Sequence, residues 1–358
     1  MAQGIITEWE WRRQAQRGPR RREHSWGPQC LTKKTPLWKN RKLYAAMLAV
    51  SVAAALAMPS LVPRPAAAVT YQLKENLPQA AKISVNARSL STVAYTLPEG
   101  LEAEKRTFTR EELLRGKMLY LDAATLVPKG APAPNTMSIA GYGKGMVPVS
   151  SLTVRSGQET IRALTGLFAS LRGAGVSCFA VCRGTLTPLE QKQHRLRVFL
   201  EYARDMPLEE AALRTLKETD APGCGSLMQE YTVELCLASS PDAEKKPLTE
   251  SREGRTLLQT AWRYGFVQEE GENRWRFRYV GKAHAAAMVF LDLNMADYLS
   301  HLHEKGIIQV KADADTTYLI LCSPMSGEYA ELLLPKGLKC DVSCDGTGYA
   351  LAACEIKH

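Results

Sequence analysis

Apolar positions recur at helical spacing from residue 157, where Ile161, Leu164, Leu167, Phe168 and Leu171 share one face and Gly173 and Gly175 close the pattern. A short buried strand is predicted at 176–181. A second helix runs from Pro188, acceptable in a first turn, to about residue 204, with Leu196, Phe199 and Leu200 on its inner face. A third covers 208–218. Next come a turn at 221–226, a strand at 231–237, a helix near 255–264 and short strands around Phe266 and at 275–280. Upstream, Thr109-Arg110-Glu111-Glu112 has the form of a capping box, 118–127 reads as a strand and 128–148 as loop. Helices followed by a small antiparallel sheet predict an α+β domain over 106–306. Beyond residue 307 the pattern changes. Positions 317–321, 329–334 and 348–353 alternate or run apolar between Gly, Pro and Asp turns, which predicts a small all-β appendage over 307–358.

The N-terminal third reads differently. Residues 1–42 hold 11 Lys/Arg and 3 Asp/Glu, so nearly all of the net +9 charge sits there and the rest is close to neutral. A polyanionic partner such as nucleic acid therefore has no support in the remainder. Residues 43–62 carry no charge and follow Arg41 and Lys42, as a membrane-spanning signal-anchor with a cytoplasmic basic tail would. Ala66, Ala67 and Ala68 offer the small residues of a signal-peptidase site, but a 42-residue leader is long, so a retained anchor is predicted. Residues 63–105 read as an extracytoplasmic linker. Of nine cysteines, Cys30 lies in the basic tail and eight lie beyond residue 170. An even set suits disulfides in an oxidising compartment, although paired and free thiols are equally compatible with the spacing.

Three stretches then carry a resemblance. VCRGTLTPLEQ at 181–191 is similar to V-S-S-G-Y-R-S-x-x-x-Q. PGCGSLMQEYTVEL at 222–235 is similar to P-G-x-S-E-H-Q-x-G-x-A-V-D-L. NRWRFRYVG at 273–281 is similar to E-P-W-H-F-R-Y-V-G, with WRYGF at 262–266 upstream. In this order they resemble the D-alanyl-D-alanine carboxypeptidases of the vancomycin-resistance type, zinc enzymes that trim peptidoglycan stem peptides, some of which carry a β appendage. The resemblance implies zinc held by two His and an Asp, with a Glu as general base. Here Leu227 stands for the first His, Glu234 for the Asp, Arg276 for the second His and Asn273 for the Glu, while Leu186 replaces a substrate-binding Arg and Gln191 is retained. Leucine has no donor and arginine repels a dication, so one carboxylate is left to hold the metal. Asparagine takes up no proton near neutral pH.

These losses predict a chain with the family's fold and no bound zinc: an extracytoplasmic, membrane-anchored pseudoenzyme that holds a peptidoglycan stem peptide or a cell-wall protein. The alternative is an active zinc peptidase in which Glu234, Cys236 and Cys224 supply substitute ligands, since strand alternation puts Glu234 and Cys236 on one face. The simpler reading is that Cys236 is a buried thiol or half of a disulfide with Cys224. His194, His284, His301 and His303 read as surface or satisfied core residues. Arg274, Arg276 and Arg278 alternate, opposite Trp275 and Phe277, and form a cationic stripe. That stripe is either a solvated face or, with Trp275 and Gln191, a binding surface for a peptide carboxylate or an anionic wall polymer.

Overall fold

The 3.6-residue period at 160–171 buries one face of a helix, and that helix covers one side of the central sheet. The structure, a computed structural model, describes residues 92–98, 100–241, 246–269 and 275–357. The basic tail, the apolar run 43–62, Asn273 and Arg274 lie outside the described residues. In chain order the elements begin with β1 (Thr92–Ala94), β2 (Ala103–Thr109), α1 (Arg110–Leu113), β3 (Thr136–Ser138), α2 (Ile139–Tyr142), β4 (Arg155–Gly157) and α3 (Gln158–Gly173). There follow β5 (Phe179–Arg183), α4 (Pro188–Tyr202), α5 (Leu208–Glu218), β6 (Thr232–Leu237), α6 (Arg252–Ala261), β7 (Phe266–Gln268) and β8 (Arg276–Tyr279). The last part comprises α7 (Lys282–Leu291), α8 (Met295–Lys305), β9 (Ile307–Lys311), β10 (Thr316–Pro324), β11 (Tyr329–Pro335), β12 (Cys340–Cys344) and β13 (Tyr349–Lys357). Among the described residues, no helix is long and apolar enough to cross a membrane.

Strands β5, β6, β8 and β7 form an antiparallel sheet in that order. Alternation gives it two unlike faces. Val181, Val233, Leu235 and Phe277 pack with Leu164, Leu167 and Phe168 of α3 and Leu257 of α6 in one core. Thr232, Glu234, Arg276 and Arg278 fall on the opposite face, and it is there that the candidate site lies.

The C-terminal region is strand-rich. Its five-stranded sheet has the order β1-β9-β10-β13-β12, with a β2–β11 ribbon beside it. Ile320 and Leu351 pack towards α7 and α8, whereas Leu319, Leu321, Ala350 and Ala352 pack with Leu332 and Leu334 of the ribbon. Burial on both faces explains why β10 reads as a continuous apolar run. Two strands, β1 and the start of β2, come from the stretch read as linker. The cost of ordering them is met by pairing with β9 and β11.

Two other expectations change, and one pair of alternatives is resolved. Residues 118–127 form no strand, although Met118, Leu119 and Leu121 are buried. Their backbone groups are satisfied from outside a ladder: the Ser343 hydroxyl accepts from Met118 N, the Asp345 carbonyl accepts from Tyr120 N, and Arg278 donates to the carbonyls of Lys117 and Leu119. In α4, Leu196 and Leu200 are 39% and 36% exposed rather than on an inner face. That helix is tied down instead by polar groups, Gln191 at its start and the Tyr202 hydroxyl, which donates to Glu218 of α5. Cys224 and Cys236 are buried thiols that are not joined to each other, which settles the choice in favour of the buried thiol. The disulfide found joins Cys340 and Cys354, direct neighbours across β12 and β13 with Cα atoms 4.4 Å apart.

Candidate functional site

Antiparallel register sets Glu234 of β6 directly opposite Arg276 of β8. A bulge at Cys182 shifts β5 by one residue, and Arg183 becomes the partner of Glu234 on the other side. The Arg183 Nη1 donates to Glu234 Oε1 at 2.8 Å. Burial is the largest single influence and would lower the Arg183 pKa, but the charge and hydrogen bond of Glu234 together with Cys182 raise it above its ordinary value. The carboxylate standing for the metal-ligating Asp is thus already matched by a guanidinium.

Arg276 is paired too. Its Nη1 lies 2.8 Å from Asp220 Oδ2 and 3.8 Å from Glu269 Oε2, and the Ser226 hydroxyl donates to that same Glu269 oxygen at 2.7 Å. Burial opposes the charge, yet Asp220, Glu269 and Glu234 raise the Arg276 pKa above its ordinary value. Gly225 makes the arrangement possible. It has φ 83°, and a Cβ there would sit 2.6 Å from the Asp220 carboxyl carbon. The one-turn 3-10 helix Ser226–Met228 that follows buries Leu227, whose side chain has no donor atom, to 2% exposure.

The remaining predicted residues serve the frame. Gln191 is buried, with Nε2 donating to the Cys224 carbonyl at 2.8 Å and Oε1 accepting from Gly223 N at 2.7 Å, so it ties α4 to the 221–225 turn. Trp275 packs edge-on to Phe179 in the core, its indole N–H donating to the Lys246 carbonyl. The two described members of the arginine stripe form no solvated face, since Arg276 is 5% and Arg278 2% exposed. Nor are they a row of open forks. Arg278 donates to the carbonyls of Lys117 and Leu119 and to the Gln229 side chain. His194, read as a bystander, is half-buried near Arg183, Glu234 and Arg276. Burial, and then the Arg183 charge, push its pKa down to about 4, so it is neutral at neutral pH. Arg183, Asp220, Ser226 and Glu269 were not legible as site residues. Arg183 and Ser226 stood inside the quoted motifs, at positions where the pattern has Ser and Glu.

Zinc does not fit this set of side chains. Among the described residues, no three or more His, Cys, Asp or Glu side chains are placed to hold a metal ion. The substitute ligands proposed from sequence are engaged elsewhere: the Cys224 thiol donates to the Ala124 carbonyl and the Cys236 thiol to the Ala180 carbonyl. Burial raises the Cys224 pKa, which keeps that thiol protonated and a poor ligand. Beside Arg276 lies a cleft of about 200 Å³ bordered by Tyr120, Asp122, Ser226, Glu269, Arg276 and Arg278.

No family model matches the chain. An alignment of 101 positions, covering 25% of this chain, is 27% identical to a D-alanyl-D-alanine carboxypeptidase of Enterococcus faecium, and the match spans 33% of that relative's length. Among solved structures, the vancomycin-resistance D,D-dipeptidase VanXYg, in complex with a D-Ala-D-Ala phosphinate analogue, is similar over 71% of this chain and 99% of its own. The TM-score is 0.58 and the identity 13%. This chain has the fold of the vancomycin-resistance D,D-peptidases. The resemblance read from its motifs therefore stands. VanY, a D,D-pentapeptidase from a VanB-type cassette in complex with Zn(II), is similar over 51% of this chain and 98% of its own, with TM-score 0.41 and 18% identity.

Proposed function

We propose that this chain is a non-hydrolysing relative of the D,D-peptidases that binds a peptidoglycan stem peptide in its cleft, outside the membrane to which its N-terminal segment anchors it. One observation carries the reading. At the positions where the family's zinc would sit, two guanidinium–carboxylate pairs, Arg183–Glu234 and Arg276–Asp220, stand in place of a dication and its ligands. The positive charge that would balance the carboxylates is built into the chain. Without a metal no bound water is brought to a pKa near 7 and no scissile carbonyl is polarised. Binding needs neither. The uncharged run 43–62 after Arg41 and Lys42, and a cross-strand disulfide between Cys340 and Cys354, support the location.

The test is to incubate the purified chain with zinc, measure the metal retained after dialysis, and assay release of D-alanine from acetyl-Lys-D-Ala-D-Ala alongside retention on isolated peptidoglycan. Retention on the wall with substoichiometric zinc and no D-alanine is the expected result. Near-stoichiometric zinc together with D-alanine release would overturn it.

A further inference from the structure

A second cavity, of about 160 Å³, opens where α1, the start of α3, α7 and β12 meet, away from the Arg276 cleft. The most buried polar side chain lining it is His284, 4% exposed. The Tyr298 hydroxyl lies 2.9 Å from His284 Nδ1. Tyr298 is fully buried, and burial holds its pKa well above the ordinary value, so the hydroxyl keeps its proton and needs an acceptor for it. Among the described residues that acceptor is the Nδ1 lone pair, which leaves the ring proton on Nε2. Burial also keeps the ring neutral, its pKa pushed down to about 3. The Nε2–H makes no hydrogen bond among the described residues and, unlike Arg276 Nε, is not closed to water. A ring this buried meets solvent through the cavity it lines.

The outer part of the cavity supplies acceptors. Lys117 Nζ lies 2.9 Å from Glu159 Oε2 and 2.8 Å from Asp341 Oδ2. Those carboxylates are 55% and 57% exposed, and each keeps a second oxygen that the ammonium does not use. An anion entering here meets both carboxylates, and a cation meets the Lys117 ammonium set between them, so either sign brings like charges together. A purely apolar group leaves the Nε2–H without an acceptor. A neutral polyol avoids all three penalties: one hydroxyl oxygen accepts from His284 Nε2, and neighbouring O–H groups donate to Glu159 and Asp341. Met118, Val280 and Val342 complete the lining with apolar surface, which suits the C–H faces of a ring whose rim carries the hydroxyls. The volume is below the roughly 300–1,000 Å³ of a cleft for a drug-sized ligand and suits a single ring.

We propose that this cavity binds one neutral sugar residue, held by His284 Nε2–H as donor and by the Glu159 and Asp341 carboxylates as acceptors. The site goes beyond the peptide-binding reading and uses no group of the Arg276 cleft, so the two stand or fall separately. Glucose, glucuronic acid and glucosamine share one ring and differ in charge, and acetamide supplies a neutral amide without the ring. Each is titrated at about pH 6, where the amine is protonated, against the full chain and against Asp341→Ala, with binding read by saturation-transfer NMR on the ligand's own signals. The wild type binds glucose at least about fivefold more tightly than either charged sugar or acetamide. In Asp341→Ala, a change at an exposed side chain, glucose affinity falls several-fold. No binding of glucose, equal binding of the three sugars, acetamide bound as tightly as glucose, or a folded Asp341→Ala variant with unchanged affinity each overturns the proposal. The wild-type series decides the matter even if the variant does not fold.

Discussion

Replacing Arg276 by alanine tests whether the former metal locus is closed by charge pairing. The side chains of Arg276 and Asp220 are 6% and 3% exposed and their ion pair measures 2.8 Å, with Glu269 at 3.8 Å. Deleting the guanidinium leaves Asp220 a buried acid with its cation gone, a change that typically costs about 3–5 kcal/mol. At about 2.1 cal/mol/K of unfolding entropy per residue, that corresponds to a fall of roughly 4–7 °C in Tm for a chain of 358 residues. Arg197, paired with Glu201 one helical turn away on the surface, is the control, because its alanine variant should lose less than about 0.5 kcal/mol. Urea denaturation at pH 7 provides the measurement, read as a change in midpoint at constant slope. Asp220→Asn added to Arg276→Ala should recover part of the loss, since the uncompensated charge is then removed. An Arg276→Ala variant within about 1 kcal/mol of wild type would mean that the pair is solvated and that the locus remains open, and the argument against zinc would weaken with it.

Two further outcomes follow from buried groups elsewhere. His284 is buried against the Tyr298 hydroxyl, and burial pushes its pKa down to about 3. In the unfolded chain an imidazole titrates near ~6.5, so below that pH the unfolded state binds a proton the folded state refuses. Its contribution is therefore whole above about pH 6.5 and declines by up to ~1.4 kcal/mol per pH unit as the pH falls towards the folded value. His284→Gln should flatten the stability profile between those limits, and an unchanged slope in denaturation series would refute the assignment. Peptide mapping without reductant should find Cys340 joined to Cys354, 14 positions apart, and reduction should cost about 3 kcal/mol. Cys340 or Cys354 joined to any other cysteine would contradict the β12–β13 register.

Much of this protein was readable from near neighbours in the chain. The 3.6-residue period of Ile161 to Leu171 specified α3, and the alternation around Val233 and Phe277 put Glu234, Arg276 and Arg278 on the face opposite the core. The loss of lone-pair donors at Leu227 and Arg276 needed no coordinates, because it is a property of the side chains themselves. What replaced them was decided only in three dimensions. Arg183 reaches Glu234 across 51 positions through a bulge that periodicity does not signal. Asp220 meets Arg276 across 56, in space that Gly225 leaves open. The turning outward of Leu196 and Leu200, and the absence of a strand at 118–127, have the same origin. Each depends on a polar partner supplied from a distant part of the chain, and local pattern carries no record of where the fold will bring that partner.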